Sequence, residues 1–177
     1  MHVKNGKVGV VGGSAGGSHA AWVALNKSTS DGWPFWSPGD RANAVACLSG
    51  AYDYSDREGA TTQVINDFEN YTNTCIRVDQ KTFSPVTLVT STDIKPMFLI
   101  NSEFDAGMPP HQIIQMQCAL QTIGVDPALY KVWTIPGSDE HAFQYWDSPI
   151  LDEFPPNNTE LVRDRVIQFL DQYLKTP

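Results

Sequence analysis

Residues 8–17 read Val-Gly-Val-Val-Gly-Gly-Ser-Ala-Gly-Gly, a short β-branched run that stops at a serine flanked by glycines. An alanine-rich stretch compatible with a helix follows directly, over residues 16–26. A serine in a sharp strand-to-helix turn projects its hydroxyl above the sheet, and such a turn leaves little room for neighbouring side chains. We therefore predict a nucleophile elbow at Ser14, with Gly12 and Gly16 small because larger side chains would collide across the turn.

Four short apolar runs alternate with helical patterns along the chain. The runs predicted as strands are Val8–Val11, Ala44–Leu48, Met97–Ile100 and Tyr130–Ile135. Two later helices are indicated by apolar stripes, one over residues 110–123 (Ile113, Met116, Leu120, Ile123) and one beginning near Asn158-Thr159 (Val162, Val166, Phe169, Leu170, Tyr173). Strand–helix alternation is typical of a parallel sheet covered by helices on both faces. The sequence thus predicts a three-layer α/β/α fold, and residues 1–177 are expected to form one domain.

Charge and composition exclude several classes of protein. The chain has 177 residues, a net charge of −8 and a pI near 4.8, so it lacks the basic footprint of a nucleic-acid-binding domain. No apolar run approaches the roughly 20 residues that cross a membrane, and no membrane partner or signal peptide is expected. The three cysteines show no metal-ligand spacing, and neither a metal nor a cofactor is expected. These observations leave the cellular location open.

Two long stretches interrupt the alternation. Residues 28–42 are rich in Ser, Gly and Pro and carry Trp33 and Trp36, and residues 51–92 are polar and dotted with aromatic side chains. Loops of this size in a compact domain are usually lids or binding loops. We predict that 51–92 is a lid-like insertion with one short helix around Gln63–Tyr71, and that Trp33 and Trp36 bind substrate. The alternative is that the aromatic side chains form a small satellite core that packs the loops down.

Candidate partners for the serine follow two later strands. A serine hydroxyl is a weak nucleophile unless a base accepts its proton, and the base needs an acid to orient it. Asp105 follows the third predicted strand and is the candidate acid, with Glu103 and Asp53 as competitors. His141 follows the fourth predicted strand, and of the four histidines it alone has this order and context. The three groups, Ser14, Asp105 and His141, are predicted to form a catalytic triad.

The ordered motifs resemble those of α/β-hydrolase esterases of the hormone-sensitive-lipase and acetyl-esterase type. The matching segments are residues 12–17 at the elbow, 48–53 after the next strand, 84–86 and 96–109 around the acid, and 137–147 around the histidine. The resemblance covers nearly the whole chain and places Ser14, Asp105 and His141 at the triad positions of that family. It implies an α/β-hydrolase fold. Among bacterial relatives it implies hydrolysis of acetyl or feruloyl esters, including those of decorated plant polysaccharides.

The resemblance also shows a difference. Members of this family carry a first half of the sheet before the nucleophile strand, including a His-Gly-Gly-Gly loop that donates one oxyanion-hole N–H. The chain is accordingly expected to be the C-terminal half of an α/β-hydrolase fold, with the Ala15 N–H as its oxyanion donor. The strand at Val8–Val11 would then be an exposed edge, which predicts a homodimer through that strand. Self-capping by residues 1–6 or by the 51–92 insertion is the alternative.

These patterns together predict a serine carboxylesterase that forms an acyl enzyme on Ser14. The resemblance implies that its substrates are short-chain esters of the acetyl or feruloyl type, either small molecules or groups linked to a polysaccharide. A serine peptidase of related fold is one alternative. An inactive remnant or interaction module is another, because the first half of the fold and one oxyanion-hole loop are missing.

Overall fold

A computed structural model describes residues 6–25, 42–90, 94–150 and 160–175. Within these segments four strands form one parallel sheet in the order β1-β2-β3-β4. The strands are β1 (Gly9–Gly13), β2 (Ala44–Leu48), β3 (Met97–Ser102) and β4 (Tyr130–Ile135). All four predicted strands are confirmed, and β1 and β3 run further toward their carboxyl ends than expected.

The two middle strands carry the centre of the core. Every residue of β2 and β3 is buried, which explains why both appear in the sequence as continuous apolar runs. In the described sheet β1 and β4 lie at the two edges and are only partly buried. The register pairs Gly13 with Leu48 and Leu48 with Ile100. Because the strands are parallel, the turns that follow them gather at one edge of the sheet.

Helices cover both faces of the sheet. The described helices are α1 (Ala15–Leu25), α2 (Thr62–Thr72), α3 (Arg77–Thr82), α4 (His111–Ile123) and α5 (Val162–Leu174), of which α1, α4 and α5 pack on the sheet. One core cluster joins α1 and α4 to one face, through side chains such as Ala21 and Met116. A second cluster joins α5 to the other face, through Val166 and Phe169. The expected three-layer α/β/α architecture with a parallel sheet is confirmed.

The ends of the two long later helices differ in how well the sequence predicts them. The α4 helix stops at Gly124, which adopts a left-handed backbone with φ 73°, as expected of a glycine stop. Ile123, expected on its buried stripe, is 43% exposed at the helix end. The described α5 begins at Val162, and its start is marked by the Leu161 N–H, which donates to the Asp164 carboxylate at 3.0 Å. The predicted cap at residues 158–159 lies outside the described residues.

The insertion after β2 contains more regular structure than expected. Besides α2, whose Thr61 side chain accepts from the Val64 N–H, it holds α3 and a 3₁₀ turn at Pro85–Leu88. The insertion is fastened to α4 by Gln112. The Gln112 side-chain oxygen accepts from Tyr52 N and Asp53 N at 2.8 Å, and its amide donates to Asp53 O at 2.9 Å. In the described segments, no helix combines the length and apolar character needed to span a membrane.

Candidate active site

The turn between β1 and α1 holds Ser14 in a strained backbone conformation. Its φ is 56°, a left-handed value that costs a non-glycine residue about 1–3 kcal/mol. A Cβ added to Gly12 would lie 1.9 Å from the Gly16 carbonyl oxygen. The backbone therefore crosses itself so closely at this turn that position 12 admits only glycine, in agreement with the prediction.

The prediction that a larger side chain at Gly16 would collide across the turn is wrong. In the described segments, a Cβ added to Gly16 meets nothing within 4 Å. The tight position is Gly17, where a Cβ would lie 2.9 Å from the Leu48 carbonyl oxygen. The same Leu48 oxygen accepts a hydrogen bond from Ser14 N at 2.8 Å. The close approach thus lies between α1 and the end of β2, and it places the serine directly above the sheet edge.

Asp105 and His141 are in direct contact. The His141 Nδ1 lies 3.0 Å from both Asp105 carboxylate oxygens. The Asp105 side chain is fully buried, whereas that of His141 is 28% exposed. Asp105 Oδ1 also accepts from Gly107 N at 2.8 Å and from Met108 N at 2.9 Å. A carboxylate fixed by two amides orients the imidazole and leaves its other nitrogen, Nε2, outside this contact.

The two competing carboxylates occupy different environments. Glu103 is exposed and accepts from Gly137 N at 2.7 Å. Asp53 is buried, pairs with the Lys81 ammonium and accepts from the Ser55 hydroxyl. Burial by itself raises the pKa of Asp53, but the bonds from Lys81 and Ser55 outweigh it and hold that pKa below its usual value. Of the three candidate acids, the structure brings only Asp105 to His141.

Ser49 connects the end of β2 to the histidine loop. It follows β2 directly, has a left-handed φ of 47°, and its hydroxyl lies 3.1 Å from both Ala142 N and the Tyr145 hydroxyl. Burial raises the pKa of Tyr145 well above its usual value, so its phenol stays protonated and remains a donor. Ala142 itself has a φ of 52°. Three strained non-glycine residues therefore meet at this edge of the sheet.

The histidine loop lies over the serine turn without a closed hydrogen bond between them. A Cβ added to Gly13 would lie 2.7 Å from the Phe143 ring and 3.1 Å from the Ala142 Cβ. Among the described residues, no hydrogen bond joins Ser14 Oγ to His141 Nε2. Such bonds in ligand-free sites often tighten only when substrate binds. The geometry thus joins His141 to Asp105 and brings its loop against the residue that precedes Ser14.

Ala15 begins α1 and presents a free backbone donor. Within the described segments its N–H has no hydrogen-bond partner, as expected for the first turn of a helix. The helix dipole adds partial positive charge at the same place. Ala15 is exposed, so an anion beside Ser14 has access to this N–H.

A cavity of about 260 Å³ opens beside Ser14. Its walls come from the start of α1, from the face of α2 and from the turn after β3, and they include Tyr54, Phe68 and Met108. Trp33 and Trp36, predicted to bind substrate, lie outside the described residues. In the part of the chain that is described, no group of three His, Cys, Asp or Glu side chains is arranged to hold a metal ion.

Comparison with known proteins identifies the fold. No family model matches the chain, and no curated protein matches it. Among solved structures, a bifunctional acetyl ester-xyloside hydrolase from Caldicellulosiruptor lactoaceticus is similar, with a TM-score of 0.55 and 21% identity over 78% of this chain. An esterase from Thermogutta terrifontis, solved with propionate, is similar with a TM-score of 0.57 and 19% identity over 94% of this chain. An acylaminoacyl peptidase bound to a chloromethyl ketone is similar with a TM-score of 0.63 and 17% identity over 98% of this chain.

The fold is that of the α/β-hydrolases. The chain spans 48% and 53% of the two esterase structures and 25% of the peptidase. At identities this low the likeness establishes the fold alone.

Several residues that support this candidate site were missed by sequence reasoning. Ser49 and Tyr145 link strand ends across the sheet, and Gln112 pins the insertion to α4. None of them belongs to a repeating pattern, because each acts through one side-chain bond to a residue distant in sequence. The one available signal was Ser49-Gly50, a small polar pair immediately after a buried strand.

Proposed function

We propose that this chain is a serine hydrolase that cleaves carboxylic esters through Ser14, His141 and Asp105. The observation that carries the proposal is the buried Asp105 carboxylate hydrogen-bonded to His141 Nδ1 at 3.0 Å, with the histidine loop packed over the turn of Ser14. In this arrangement Nδ1 is the protonated nitrogen, and Nε2 is left unprotonated to act as a base.

The reaction follows from these positions. His141 Nε2 accepts the Ser14 proton while the serine oxygen attacks the ester carbonyl, and the resulting oxyanion accepts from the Ala15 N–H. The imidazolium, stabilised by Asp105, then returns the proton to the departing alcohol and leaves an acyl group on Ser14. Water activated by the same histidine releases the carboxylic acid. Loss of one backbone donor lowers turnover by about 10²–10³, whereas loss of the nucleophile lowers it by about 10⁶.

The substrates we propose are short-chain esters of the acetyl or feruloyl type, free or linked to a polysaccharide. The support is the sequence resemblance, a solved neighbour described as an acetyl ester-xyloside hydrolase, and a cavity that is mostly apolar beside Ser14. Trp33 and Trp36 stay predicted contributors to the same pocket. A second candidate is peptide hydrolysis, favoured by the likeness to an acylaminoacyl peptidase over 98% of this chain.

The test is active-site labelling with a fluorophosphonate followed by identification of the modified residue. We expect the wild-type chain to be labelled on Ser14 and to hydrolyse p-nitrophenyl acetate. Ser14→Ala should lose both properties with an unchanged far-UV circular dichroism spectrum. Ser138→Ala is the matched control, because its hydroxyl lies 3.1 Å from that of Ser102 and does not face the cavity.

Three results would change this conclusion. An unlabelled, folded wild-type chain would support an inactive remnant or interaction module. Wild-type turnover by Ser14→Ala would remove Ser14 as the nucleophile. Faster cleavage of an N-acyl peptide than of the ester with the same acyl group would favour the peptidase.

A further inference from the structure

The α2 helix turns one mixed face toward the cavity. Val64, Asp67, Phe68 and Tyr71 recur at helical spacing, and all four line the cavity. Val64 and Phe68 are buried in a small cluster with Tyr54 and Met108. Asp67 and Tyr71 are exposed, one turn apart, on the same side of the helix. The helix therefore covers the cavity with apolar side chains and leaves two polar groups at its mouth.

Tyr71 has its polar partner within the protein already. Its hydroxyl lies 2.8 Å from His19 Nε2 on α1, and its ring packs 5.1 Å from that of Tyr54. These contacts hold the end of α2 against the helix that follows Ser14. Tyr71 is thus a fixed aromatic wall of the cavity mouth.

The Asp67 carboxylate, unlike the Tyr71 hydroxyl, has no hydrogen-bond partner on another helix in the described segments. Its Oδ1 accepts from Gln63 Nε2 at 2.8 Å, and in the described segments it makes no ion pair. It is also the sole charged residue among those that line the cavity in the described part of the chain. A carboxylate accepts hydrogen bonds and donates none, so its Oδ2 is available to a hydroxyl or other donor on a ligand.

We propose that Asp67 determines substrate specificity by favouring esters that carry a hydrogen-bond donor and no negative charge near the cavity mouth. This inference rests on the proposed ester hydrolysis and adds a selectivity that the triad does not supply. A hydroxyl-bearing substrate gains a charge-assisted hydrogen bond from Asp67. A carboxylate-bearing substrate meets a like charge instead. At a separation of about 6 Å near solvent, that repulsion corresponds to about a fivefold difference in kcat/KM, and salt screens it.

The experiment uses two matched sets of esters, each with a methyl, a hydroxymethyl or a carboxylate substituent at the same position. One set carries the substituent on the alcohol (aryl acetates) and the other on the acyl group. For at least one set, we expect the wild-type chain to prefer the hydroxymethyl over the carboxylate ester by about fivefold, with the ratio falling in 0.5 M salt (about a 4 Å screening length). Asp67→Asn should bring that ratio close to one and abolish its salt dependence.

The matched control is Glu69→Gln. It removes one negative charge from the same helix at a position that does not line the cavity, so the wild-type ratio should persist. An unchanged ratio in Asp67→Asn for both sets, with the methyl esters still hydrolysed, would overturn the inference and leave the proposed function intact. If no methyl ester is hydrolysed and Ser14 is not labelled, both proposals fail together.

Discussion

The acid–histidine side of the site and the serine side are built by different means. Asp105 follows β3, which is buried along its whole length and paired on both sides. Its carboxylate is held by two backbone amides and by His141. Ser14 follows β1, an edge strand of the described sheet, and it is positioned by a strained backbone and a closely crossing glycine.

The two sides should therefore fail differently when they are changed. Deleting a hydrogen-bonding group beside His141 removes an interaction but leaves the packing around it. Adding a single carbon at the serine turn forces two backbone segments apart. The first change should act mainly on turnover, and the second should act mainly on stability.

The largest effect is expected on the acid–histidine side. Asp105→Asn keeps the shape of the side chain but favours the wrong imidazole tautomer, and kcat should fall by about 10⁴. Glu103→Gln, on the same turn, should change kcat by less than about threefold because the Glu103 carboxylate bonds the Gly137 amide and, in the described segments, does not contact His141. Ester hydrolysis and thermal unfolding of both variants provide the test. A larger loss in Glu103→Gln than in Asp105→Asn would place the acid elsewhere.

A paired glycine substitution tests the serine side. Gly12→Ala sets a carbon 1.9 Å from the Gly16 carbonyl oxygen, so the free energy of unfolding should fall by about 3 kcal/mol or the chain should not fold. Gly16→Ala enters open space within α1 and should stabilise the protein by about 0.5–1 kcal/mol. Denaturant unfolding of both variants measures the contrast. Equal stabilities would show that the turn relaxes more easily than its geometry indicates.

Asp53, which follows β2, provides a third carboxylate for comparison. Its partner is the Lys81 ammonium rather than a histidine. Because the pKa of Asp53 is held below its usual value, its stabilisation is complete above the unfolded-state pKa of about 3.9 and is lost as pH falls through the folded-state pKa. Asp53→Asn should therefore lower the free energy of unfolding by about 1–3 kcal/mol at pH 7 and by progressively less in acid. Turnover of the folded variant should stay near that of the wild type. A stability difference that grows in acid would contradict this assignment.

The smallest effect is expected from a substitution at the edge of β1, where the monomer–dimer equilibrium should change. Val8 is 51% exposed beside this strand, and in the described sheet β1 pairs only with β2. We expect a second copy to pair along this edge at micromolar concentration, which light scattering would detect as a dimer. Val8→Lys should shift the equilibrium toward monomer. A wild-type chain that is monomeric at every concentration would indicate that the edge is covered within the chain.

The strands of the sheet could be predicted because burial on both faces requires a continuous run of apolar residues, which is visible in the local sequence. β2 and β3 must be apolar at every position, and α4 must repeat its apolar residues at helical spacing. The short α3 was missed because six mixed residues carry no usable period. The error at Gly16 has a related cause: the motif marks which glycines recur, but only the path of the backbone shows which of them is tight.

The candidate site was predictable only in part, for the same reason. Ser14, Asp105 and His141 could be proposed because strand ends of a parallel sheet converge. Their supports could not, since Ser49 acts through Ala142 and Tyr145, more than 90 residues away in the chain. Asp67 was hidden in a polar helix, and its significance follows only from the cavity that it faces.

The packing of α5 on β1 has a consequence for how the protein is made. The Leu170 and Leu174 side chains pack beside Gly9, and Lys7 Nζ donates a hydrogen bond to the Tyr173 carbonyl oxygen. The strand that leads to Ser14 is therefore covered by residues that the ribosome adds about 160 positions later, so it stays bare on that side during translation. A nascent chain stalled before residue 160 would hold Ser14, Asp105 and His141 and still lack the helix that covers β1. Reactivity toward a serine probe should then arise late, at or after completion of the last helix, rather than when His141 emerges.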